Sequence, residues 1–487
     1  MFSEFTRRGF MQTTVTGAAT AGAVAPIAGG LGYFFTAPAV HAARAADKPN
    51  EKIHFAGIGV GGKGDSDISN AGSVGEVVAL CDIDEHTLDR KAGQFKQAKK
   101  FFDFREMLTQ MGDKIDAVTV STPDHTHAVA SLMAIRMKKH VYCQKPMTHF
   151  VGEARLMRTE AKKYGVCTQM GNQGTAETGL RRAVELIQGG IIGQVKEVHV
   201  WTNRPIWPQA PSYTARPSYS DPVPKHVKWD LFLGPAEERP FVDKYREGPA
   251  KGRNVYHSFA WRGWWAFGTG ALGDMACHTA NMAFMALKLG YPTSIEAVAG
   301  DVNPETCPSF AHVTIQFPAR EKMIPVTWNW YEGRKEGKKL LPPEELLAKV
   351  LNKGEKPADS GSMLVGEKGI LYSPNDYGAA FRITPKALTQ NVNLSKLDHL
   401  PTNGGGDLGM KKEWVAAIRA GKPHVAMSNF DYSGLLTETV LLGNVAIRVG
   451  KKLMWDGEAM ACTNCEEAKQ FVVGTHRKGW EVYPKVS

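Results

Sequence analysis

Short apolar runs alternate with longer, more polar segments in the first third of the chain. The run Ile53–Ala56 is followed by a glycine, and the run Val77–Leu80 is followed by a cysteine and an aspartate. The run Ile115–Ser121 is followed by a threonine and a proline. Short apolar runs bounded by turn residues are typical of strands covered on both faces, and the segments between them are long enough for helices. The alternation predicts a doubly wound, mostly parallel α/β sheet.

The pattern changes after residue 172. Gln194–Asn203 alternates apolar and polar residues, as a strand with one covered face does. Further strands are predicted at Ser294–Asp301, Ala311–Phe317 and Ile324–Tyr331, with a hairpin over Ser362–Tyr372. Together they predict a second, α+β domain with a large open, mostly antiparallel sheet. Helices follow, including an apolar one over Leu435–Val449, and we expect the C-terminal helices to pack back on the first domain.

Two segments between the predicted strands differ in character. Arg204–Pro249 contains nine of the 27 prolines together with tryptophans and tyrosines, and Trp264-Trp265 continues the aromatic pattern. Aromatic side chains at this density need packing partners, so an ordered loop is predicted. Its indoles either line a carbohydrate cleft, since indole faces stack on the apolar faces of sugar rings, or cap the sheet. Gly333–Lys356 is charged and is predicted to be a partly helical, solvated excursion.

The N-terminal segment has the pattern of an export signal. Arg7-Arg8 precedes a mildly apolar stretch over Val15–Phe35, and small residues suited to signal peptidase follow near Ala42–Ala45. This pattern is typical of a cleaved twin-arginine signal peptide and predicts a folded periplasmic protein. No later segment is long and apolar enough for a stable membrane anchor. The predicted division is a signal peptide at 1–46, a nucleotide-binding domain at 47–171 and a substrate and oligomerisation domain at 172–487.

Charge and cysteine content exclude several classes of protein. The formal net charge of +10 is spread among interspersed acidic residues, so no basic groove for nucleic acid is indicated. The seven cysteines are scattered, which does not suggest a disulfide framework. Cys462 and Cys465 have CxxC spacing without a second pair, so we interpret them as incidental.

A glycine turn joins the first two predicted strands. Gly57, Gly59 and Gly62 have GxGxxG spacing after a strand, and Asp82 lies twenty residues after Gly62, beyond the second strand. In a Rossmann-type fold these glycines allow the turn, the approach of a pyrophosphate and close helix packing. The carboxylate accepts hydrogen bonds from the ribose hydroxyls and would repel a 2′-phosphate. The motif predicts a bound dinucleotide, NAD rather than NADP.

Polar residues follow two later strands of the same sheet. Thr122-Pro123 and His127 come after one strand, and Gln144-Lys145 after the next. The carboxyl ends of parallel strands share one edge, so we expect these residues to line the dinucleotide crevice. Lys145, held by the proline that follows it, is a candidate proton donor or acceptor beside the nicotinamide. His125 and His127 have a metal-ligand spacing, but no local acid or cysteine completes a set, and no metal is predicted.

A second chemical centre is predicted in the second domain. Glycines at 268, 270 and 273 lead into a helix predicted to run to about Lys288, with Asp274 and His278 four residues apart on one face. A carboxylate placed in this way can orient an imidazole for general-base work. The alternative is a capping aspartate and a packed histidine.

The combination resembles the Gfo/Idh/MocA oxidoreductases over nearly the whole mature chain. The segments Lys228–Pro235 and Arg262–Asp274 look like the exported, sugar-related branch of that family. The resemblance implies a catalytic group of Lys145, Asp274 and His278, and an open sheet used for homodimer or homotetramer contacts. The family usually has glutamate where this chain has Gln144.

These observations lead to a hypothesis about function. We expect an enzyme that oxidises or reduces a carbinol of a sugar or glycoside, with His278 accepting the hydroxyl proton and Lys145 polarising its oxygen. A periplasm offers no recycled NAD pool, so the NAD should be tightly held and recycled within the cycle. Two alternatives stay open: an NAD-dependent glycoside hydrolase using transient oxidation, and a non-catalytic sugar-binding protein.

Overall fold

A computed structural model describes residues 52–393 and 404–483. The predicted export signal lies outside these residues. No helix within the described ranges is long and apolar enough to cross a membrane.

The first sheet has six parallel strands in the order β3-β2-β1-β4-β5-β6. Its strands are β1 His54–Ile58, β2 Glu76–Cys81, β3 Lys99–Phe101, β4 Ala117–Val120, β5 His140–Cys143 and β6 Thr168–Met170. The helices between them are α1 Lys63–Gly72, α2 Glu85–Gln94, α3 Phe104–Met111, α4 Asp124–Arg136 and α5 Val151–Tyr164. Strands β4 and β5 are buried along their whole length because helices cover both faces. The predicted doubly wound sheet is confirmed.

The second sheet has ten strands in the order β14-β13-β12-β7-β10-β9-β8-β15-β16, with β11 beside β10. Its strands are β7 Val195–Trp201, β8 Ser294–Gly300, β9 Phe310–Phe317, β10 Val326–Lys335, β11 Lys338–Lys339, β12 Gly361–Gly366, β13 Ile370–Ser373, β14 Arg382–Thr384, β15 Leu453–Asp456 and β16 Ala461–Cys462. All neighbouring strands are antiparallel except β7 and β10. Burial alternates residue by residue along β9, as expected for a sheet with one well-covered face. The predicted open, mostly antiparallel sheet is confirmed.

Eight further helices in the described part of the chain connect and cover the sheets. They are α6 Thr178–Gln188, α7 Trp229–Leu233, α8 Gly270–Thr279, α9 Asn281–Ala286, α10 Glu344–Val350, α11 Gly406–Ala420, α12 Phe430–Val449 and α13 Lys469–Val473. Helix α11 packs on the first sheet, where the Trp414 ring lies 5.6 Å from the Phe55 ring. Helix α12 packs on α5, and Arg155 of α5 donates to both carboxylate oxygens of Glu438 at 2.8 and 2.9 Å.

The aromatic loop forms a small core of its own. Trp229 stacks on Phe232 with ring centroids 4.8 Å apart, and Trp264 is fully buried against Tyr256. Trp265 is also buried. Because the Trp229 and Trp264 indoles pack on other aromatic rings of the loop, these two residues form a small core and do not line a carbohydrate cleft.

Two sequence-based predictions were wrong in part. The predicted excursion does contain a helix, α10, but it is not fully solvated, because Leu347 and Val350 are buried in the same cluster as Trp201. The helix predicted to run from the glycines to Lys288 is divided into α8 and α9 at Ala280. In both places, tertiary packing and chain geometry that lack a local signal decide the structure.

Candidate active site

The glycine turn after β1 leaves the start of α1 open. Gly59 has a φ of 75°, and a Cβ there would lie 2.8 Å from the carbonyl oxygen of Ser121. Gly62 has a φ of 50° with nothing near its Cβ position, and it offers no side chain to cap α1. The first N–H groups of α1 therefore face an uncapped space, which suits a phosphate.

The structure changes the role expected of one glycine. A Cβ at Gly64 would lie 1.9 Å from the carbonyl oxygen of Gly59, whereas Gly62 meets no atom within 4 Å. Close helix packing therefore depends on Gly64, with Gly57 also tight against Val60 and Ile68. Gly62 instead supplies the positive φ that turns the chain into α1.

Asp82 lies at the end of β2, beside the turn. Its Oδ2 accepts a hydrogen bond from Val60 N at 2.8 Å, and its Oδ1 accepts one from Asp84 N at 3.0 Å. Each oxygen keeps a second lone pair, so the carboxylate can still accept from a ribose. Burial raises the pKa of Asp82 to about 6. The turn, the uncapped helix and this carboxylate together fit NAD.

Two histidines after β4 join loops instead of facing the crevice. The ring nitrogens of His127 lie 2.8 Å from the carbonyl oxygens of Thr122 and Pro146. Those of His125 lie 2.9 and 3.3 Å from carbonyl oxygens of the second domain. Burial lowers the pKa of both to about 4, so both rings are neutral at pH 7. His127 was expected at the cofactor, but both of its ring nitrogens lie against backbone carbonyl oxygens of the two strand-end loops. A neutral ring donates to one of these two oxygens.

Thr122 and Pro123 occupy the strand end expected of them. Pro123 is the residue immediately before α4, and it ends β4 as its missing N–H requires. The Thr122 hydroxyl is buried without a hydrogen-bond partner among the described residues.

Gln144 belongs to a buried ionic network. Its Nε2 donates to Asp67 Oδ2 at 2.8 Å, and Ser121 donates to the same oxygen at 2.9 Å. Lys411 of α11 donates to Asp67 Oδ1 at 2.9 Å while its ammonium lies 3.2 Å from the Tyr142 ring centre. Asp67 and Lys411 are both fully buried. The pKa of Asp67 is lowered because two lysine charges outweigh the effect of burial.

Lys145 reaches the second domain. Its Nζ donates to Asp274 Oδ1 at 2.8 Å and to the Asp274 carbonyl oxygen at 2.9 Å. Arg262 Nε donates to the same Oδ1 at 3.2 Å. The two cations outweigh the effect of burial and hold the pKa of Asp274 well below its usual range. Lys145 and Asp274, which are far apart in sequence, are therefore direct partners.

His278 lies one turn further along α8. Its Nδ1 is buried and has no hydrogen-bond partner among the described residues, and its ring packs edge-on against Tyr377 at 5.0 Å. Burial, and then the charge of Lys145, hold its pKa well below the ordinary value, so the imidazole is neutral. In the described part of the chain, the His278 ring donates no hydrogen bond to the Asp274 carboxylate. Asp274 thus orients Lys145 rather than the imidazole.

Two residues near this group were missed from the sequence. Arg262 was noted only as part of an aromatic segment, yet it shares Asp274 with Lys145. Asp124, at the start of α4, accepts from the Thr269 hydroxyl at 2.6 Å and from Thr269 N at 3.1 Å. Burial raises its pKa to about 7, so it can exchange a proton near neutral pH. The sequence feature that could have identified Asp124 as a site residue is its position just beyond the end of a strand in the first sheet.

A Rossmann sheet, a phosphate-ready glycine turn and a lysine–aspartate pair at the strand ends define a dinucleotide-dependent oxidoreductase architecture. Family models agree: residues 52–172 match "Oxidoreductase family, NAD-binding Rossmann fold" and residues 181–326 match "Oxidoreductase family, C-terminal alpha/beta domain". Together they cover more than half of the chain. The protein belongs to the Gfo/Idh/MocA oxidoreductase family, and its first domain is NAD-binding.

Similar proteins include an inositol dehydrogenase and a hydratase. A myo-inositol 2-dehydrogenase of Thermotoga maritima is 24% identical over 153 residues, covering 31% of this chain and 45% of that protein. A 2,7-anhydro-N-acetylneuraminate hydratase of Escherichia coli is 31% identical over 94 residues, covering 18% and 25%. The chain thus aligns with less than half of the length of these curated relatives.

Solved structures share the fold over most of the chain. The WlbA dehydrogenase of Chromobacterium violaceum, in complex with NADH and UDP-GlcNAcA, has a TM-score of 0.56 at 16% identity, covering 84% of this chain and 97% of that one. The aldose-aldose oxidoreductase of Caulobacter crescentus, in complex with glycerol, has a TM-score of 0.51 at 16% identity, covering 83% and 100%. At this identity the likeness shows the fold alone.

Proposed function

We propose that this protein is an NAD-dependent oxidoreductase acting on a carbinol of a sugar or sugar-like substrate, with its NAD retained between turnovers. The observation that carries the proposal is the Lys145–Asp274–Arg262 cluster beside an unpartnered, neutral His278 at the carboxyl edge of the NAD-binding sheet. The inositol dehydrogenases among the relatives support a polyol or sugar substrate.

The side chains divide the proton chemistry between them. NAD, when bound, supplies the hydride acceptor. Lys145, fixed by Asp274, donates a hydrogen bond to the substrate oxygen and stabilises the negative charge that develops there. His278 is neutral, so it can accept the hydroxyl proton, and the developing alkoxide raises its affinity for that proton. Arg262 shares Asp274 and keeps the carboxylate ionised.

A strap over the end of β2 supports retention of the cofactor. The strap is His226–Lys228, which pairs with Ile83–Glu85 immediately after Asp82. Glu85 N donates to His226 O at 2.9 Å, and Lys228 N donates to Ile83 O at 2.9 Å. Because these residues follow the carboxylate that would bind the ribose, the strap would hinder release of the adenosine end. The backbone pairing of the strap with the first domain supports the proposal that NAD stays bound.

Spectroscopy of the purified protein tests the proposal. Mass spectrometry of the denatured protein should find one nicotinamide dinucleotide per chain. When a substrate sugar is added, it should reduce the bound NAD, and the near-ultraviolet absorbance of NADH should increase. Protein that carries no nicotinamide, binds none when it is added, and shows no spectral response to sugars would contradict the enzyme hypothesis and favour a non-catalytic sugar-binding protein.

A second candidate is an NAD-dependent glycoside hydrolase. The predicted export favours it, because transient oxidation and re-reduction need no external NAD supply. Incubation of the holoprotein with aryl glycosides and then with free sugars separates the two candidates. Release of aglycone without net NADH supports hydrolysis, whereas a keto sugar supports oxidoreduction.

We further propose a periplasmic location and a homodimer or homotetramer built on the second sheet. The support for location is the sequence pattern around Arg7 and Arg8. For assembly, the supporting argument is that members of this family use the open sheet face for subunit contacts. Light scattering of the mature protein tests the assembly, and a monomer at micromolar concentration would contradict it.

A further inference from the structure

A cavity of about 280 Å³, partly open to solvent, lies outside the candidate active site. It is bordered by the start of α5, the aromatic loop and the segment around α13. Neither the glycine turn nor Lys145, Asp274 or His278 lines it. The residues that carry the argument are Glu153, Arg239, Trp265, Glu305, Arg448 and His476.

The carboxylates around this cavity already have partners. Glu153 Oε1 lies 2.7 Å from His476 Nε2, and its Oε2 accepts from the Phe150 backbone at 2.9 Å. Glu305 accepts from Arg216 at 2.7 Å. Glu305 also forms an ion pair with Arg239 at 3.7 Å. These carboxylates are therefore committed to neighbours, and Arg448 has no ion-pair partner among the described residues.

Several donors at the cavity lack acceptors among the described residues. Trp265 is 6% exposed, and its Nε1 has no hydrogen-bond partner. Arg239 is also 6% exposed, with Nε and Nη1 unpartnered, and its nearest carboxylate oxygen, on Glu305, is 3.7 Å away. The Arg448 guanidinium lies over two rings, 4.1 Å from the Phe471 ring centre and 5.3 Å from that of Trp265.

Buried donors and charges without partners are costly, and an anion in the cavity would relieve that cost. Burial lowers the pKa of Arg448 to about 10, so the guanidinium stays charged at neutral pH. Its planar fork suits a carboxylate or phosphate. The cavity is slightly smaller than the roughly 300–1,000 Å³ typical of drug-sized ligands, which indicates a small ligand.

We propose that this cavity is a binding site for a small oxoanion, a carboxylate or phosphate, paired with Arg448 and hydrogen-bonded by Trp265 Nε1. The walls of Phe150 and Phe471 would accept an apolar or ring-shaped body. Bound there, the anion would tie together α5, the aromatic loop and the C-terminal segment. The proposal does not depend on the proposed oxidoreductase activity.

Thermal unfolding and calorimetry of the holoprotein test the site. The probes are sodium glucuronate and sodium phosphate, with glucose as the neutral analogue and sodium chloride at matched ionic strength. We expect a saturable rise in Tm with at least one oxoanion that exceeds any rise produced by glucose, which lacks the anionic group. The two oxoanions distinguish a sugar acid from a phosphate as the ligand type. No response beyond that of chloride would overturn the proposal.

Variants assign the response to the cavity. Arg448→Met keeps the stem on Phe471 but removes the charge, so we expect roughly 10- to 100-fold weaker binding with no loss of Tm in the absence of anion. Trp265→Phe removes the N–H donor and should weaken binding less.

Arg419→Met, at an exposed arginine of α11, is the control. A Lys145→Met variant should keep the response, which separates this site from the active site. An unchanged response in both Arg448→Met and Trp265→Phe would overturn the assignment.

Discussion

Gln144 and Lys145 are neighbours in sequence but meet different carboxylates. Lys145 pairs with Asp274 of the second domain, and Gln144 donates its amide to Asp67 of α1. A glutamate at this position, as the family resemblance leads one to expect, would place a second carboxylate against that of Asp67. The neutral amide therefore follows from Asp67, whose charge is balanced by Lys411 on the opposite oxygen.

Gln144→Glu should destabilise the protein by about 2–4 kcal/mol at pH 7, because two buried carboxylates would face each other. The folded-state pKa of the introduced glutamate would be raised above its unfolded value of about 4.3. The penalty should therefore be absent at a pH below about 4 and grow as the pH rises to the folded pKa. Urea unfolding at stepped pH across the acidic and neutral range measures it.

The exchange variant Asp67→Asn/Gln144→Glu is the matched control for that prediction. It keeps one carboxylate and one amide in the same pair, so we expect recovery of at least half of the lost stability. Asp67→Asn alone should remain destabilised, since it leaves the Lys411 charge without its carboxylate. Additive losses in the double variant would show that residues 144 and 67 are not coupled.

Lys145→Met should lower the single-turnover rate of NAD reduction by about 10²- to 10³-fold, because it removes the donor that stabilises the negative charge developing on the substrate oxygen. Bound NAD should remain, because the glycine turn and Asp82 are untouched. Single-turnover absorbance with a substrate sugar measures the rate, and mass spectrometry measures the NAD content. Lys412→Met, at an exposed lysine of α11, is the control. Equal rates for the two variants would remove Lys145 from the mechanism.

Asp82 should make NAD retention depend on pH. Its pKa is raised to about 6 by burial, and ribose hydroxyls that donate to the carboxylate would favour its ionised form. Retention should therefore increase as the pH rises from about 4 through 6 and level off above about 7, by at most about 100-fold. Gel filtration at stepped pH, followed by quantification of NAD, measures it. Asp82→Asn should show weak retention without this dependence, and an unchanged profile in the variant would assign the titration elsewhere.

At the residue level, the sequence placed the glycine turn, Asp82 and Lys145 at one edge of the first sheet, because strand ends in a parallel sheet share one edge. Asp274 was identified instead from its spacing to His278 on a helix of the second domain, and the roles of all these residues stay predictions. The sequence could not predict the Lys411–Asp67 pair, whose members are separated by 344 positions and carry no local signature. The i, i+4 spacing correctly placed Asp274 and His278 on one helix face. The spacing could not show that Asp274 would be drawn to Lys145 and Arg262.

At the level of elements, the long loop of the second domain has two distinct functions. Its aromatic residues build a small core around Trp229 and Phe232, which explains the density of rings that the sequence displayed. Its segment His226–Lys228 reaches the first domain and pairs with the residues after β2. The alternation of apolar residues predicted the sheets well, but a loop that pairs through backbone groups carries no periodic signal.

Lys228→Pro tests whether the strap retains NAD. Proline removes the N–H that donates to Ile83 O, whereas Lys228→Ala keeps that bond and removes only the side chain. We expect NAD to dissociate roughly 10-fold faster from Lys228→Pro than from Lys228→Ala, as measured by loss of nicotinamide during dilution, because about 1.4 kcal/mol of strap contact would be lost. Equal dissociation rates with native circular dichroism would show that the strap has no part in retention.

At the scale of the whole molecule, the candidate active site depends on contacts among both sheets and the C-terminal helices. Helix α11 supplies Lys411 to the nucleotide-binding domain, and α8 supplies Asp274 to Lys145. The active site is therefore completed only after distant parts of the chain have packed together. An exported form of this protein should then gain its NAD in the cytoplasm, where folding and cofactor are both available.

The predicted export signal provides the last test. Replacing the pair with lysines, Arg7→Lys/Arg8→Lys, should hold the protein in the cytoplasm of a host that has the twin-arginine route, because that route reads the arginine pair in folded cargo. Fractionation followed by NAD quantification should find equal NAD per chain in the retained variant and the exported protein, since loading precedes export. Exported protein that lacks NAD and acquires it from the medium would contradict a resident cofactor. Continued export of the lysine variant, blocked only by inhibition of the general secretion route, would contradict the twin-arginine assignment.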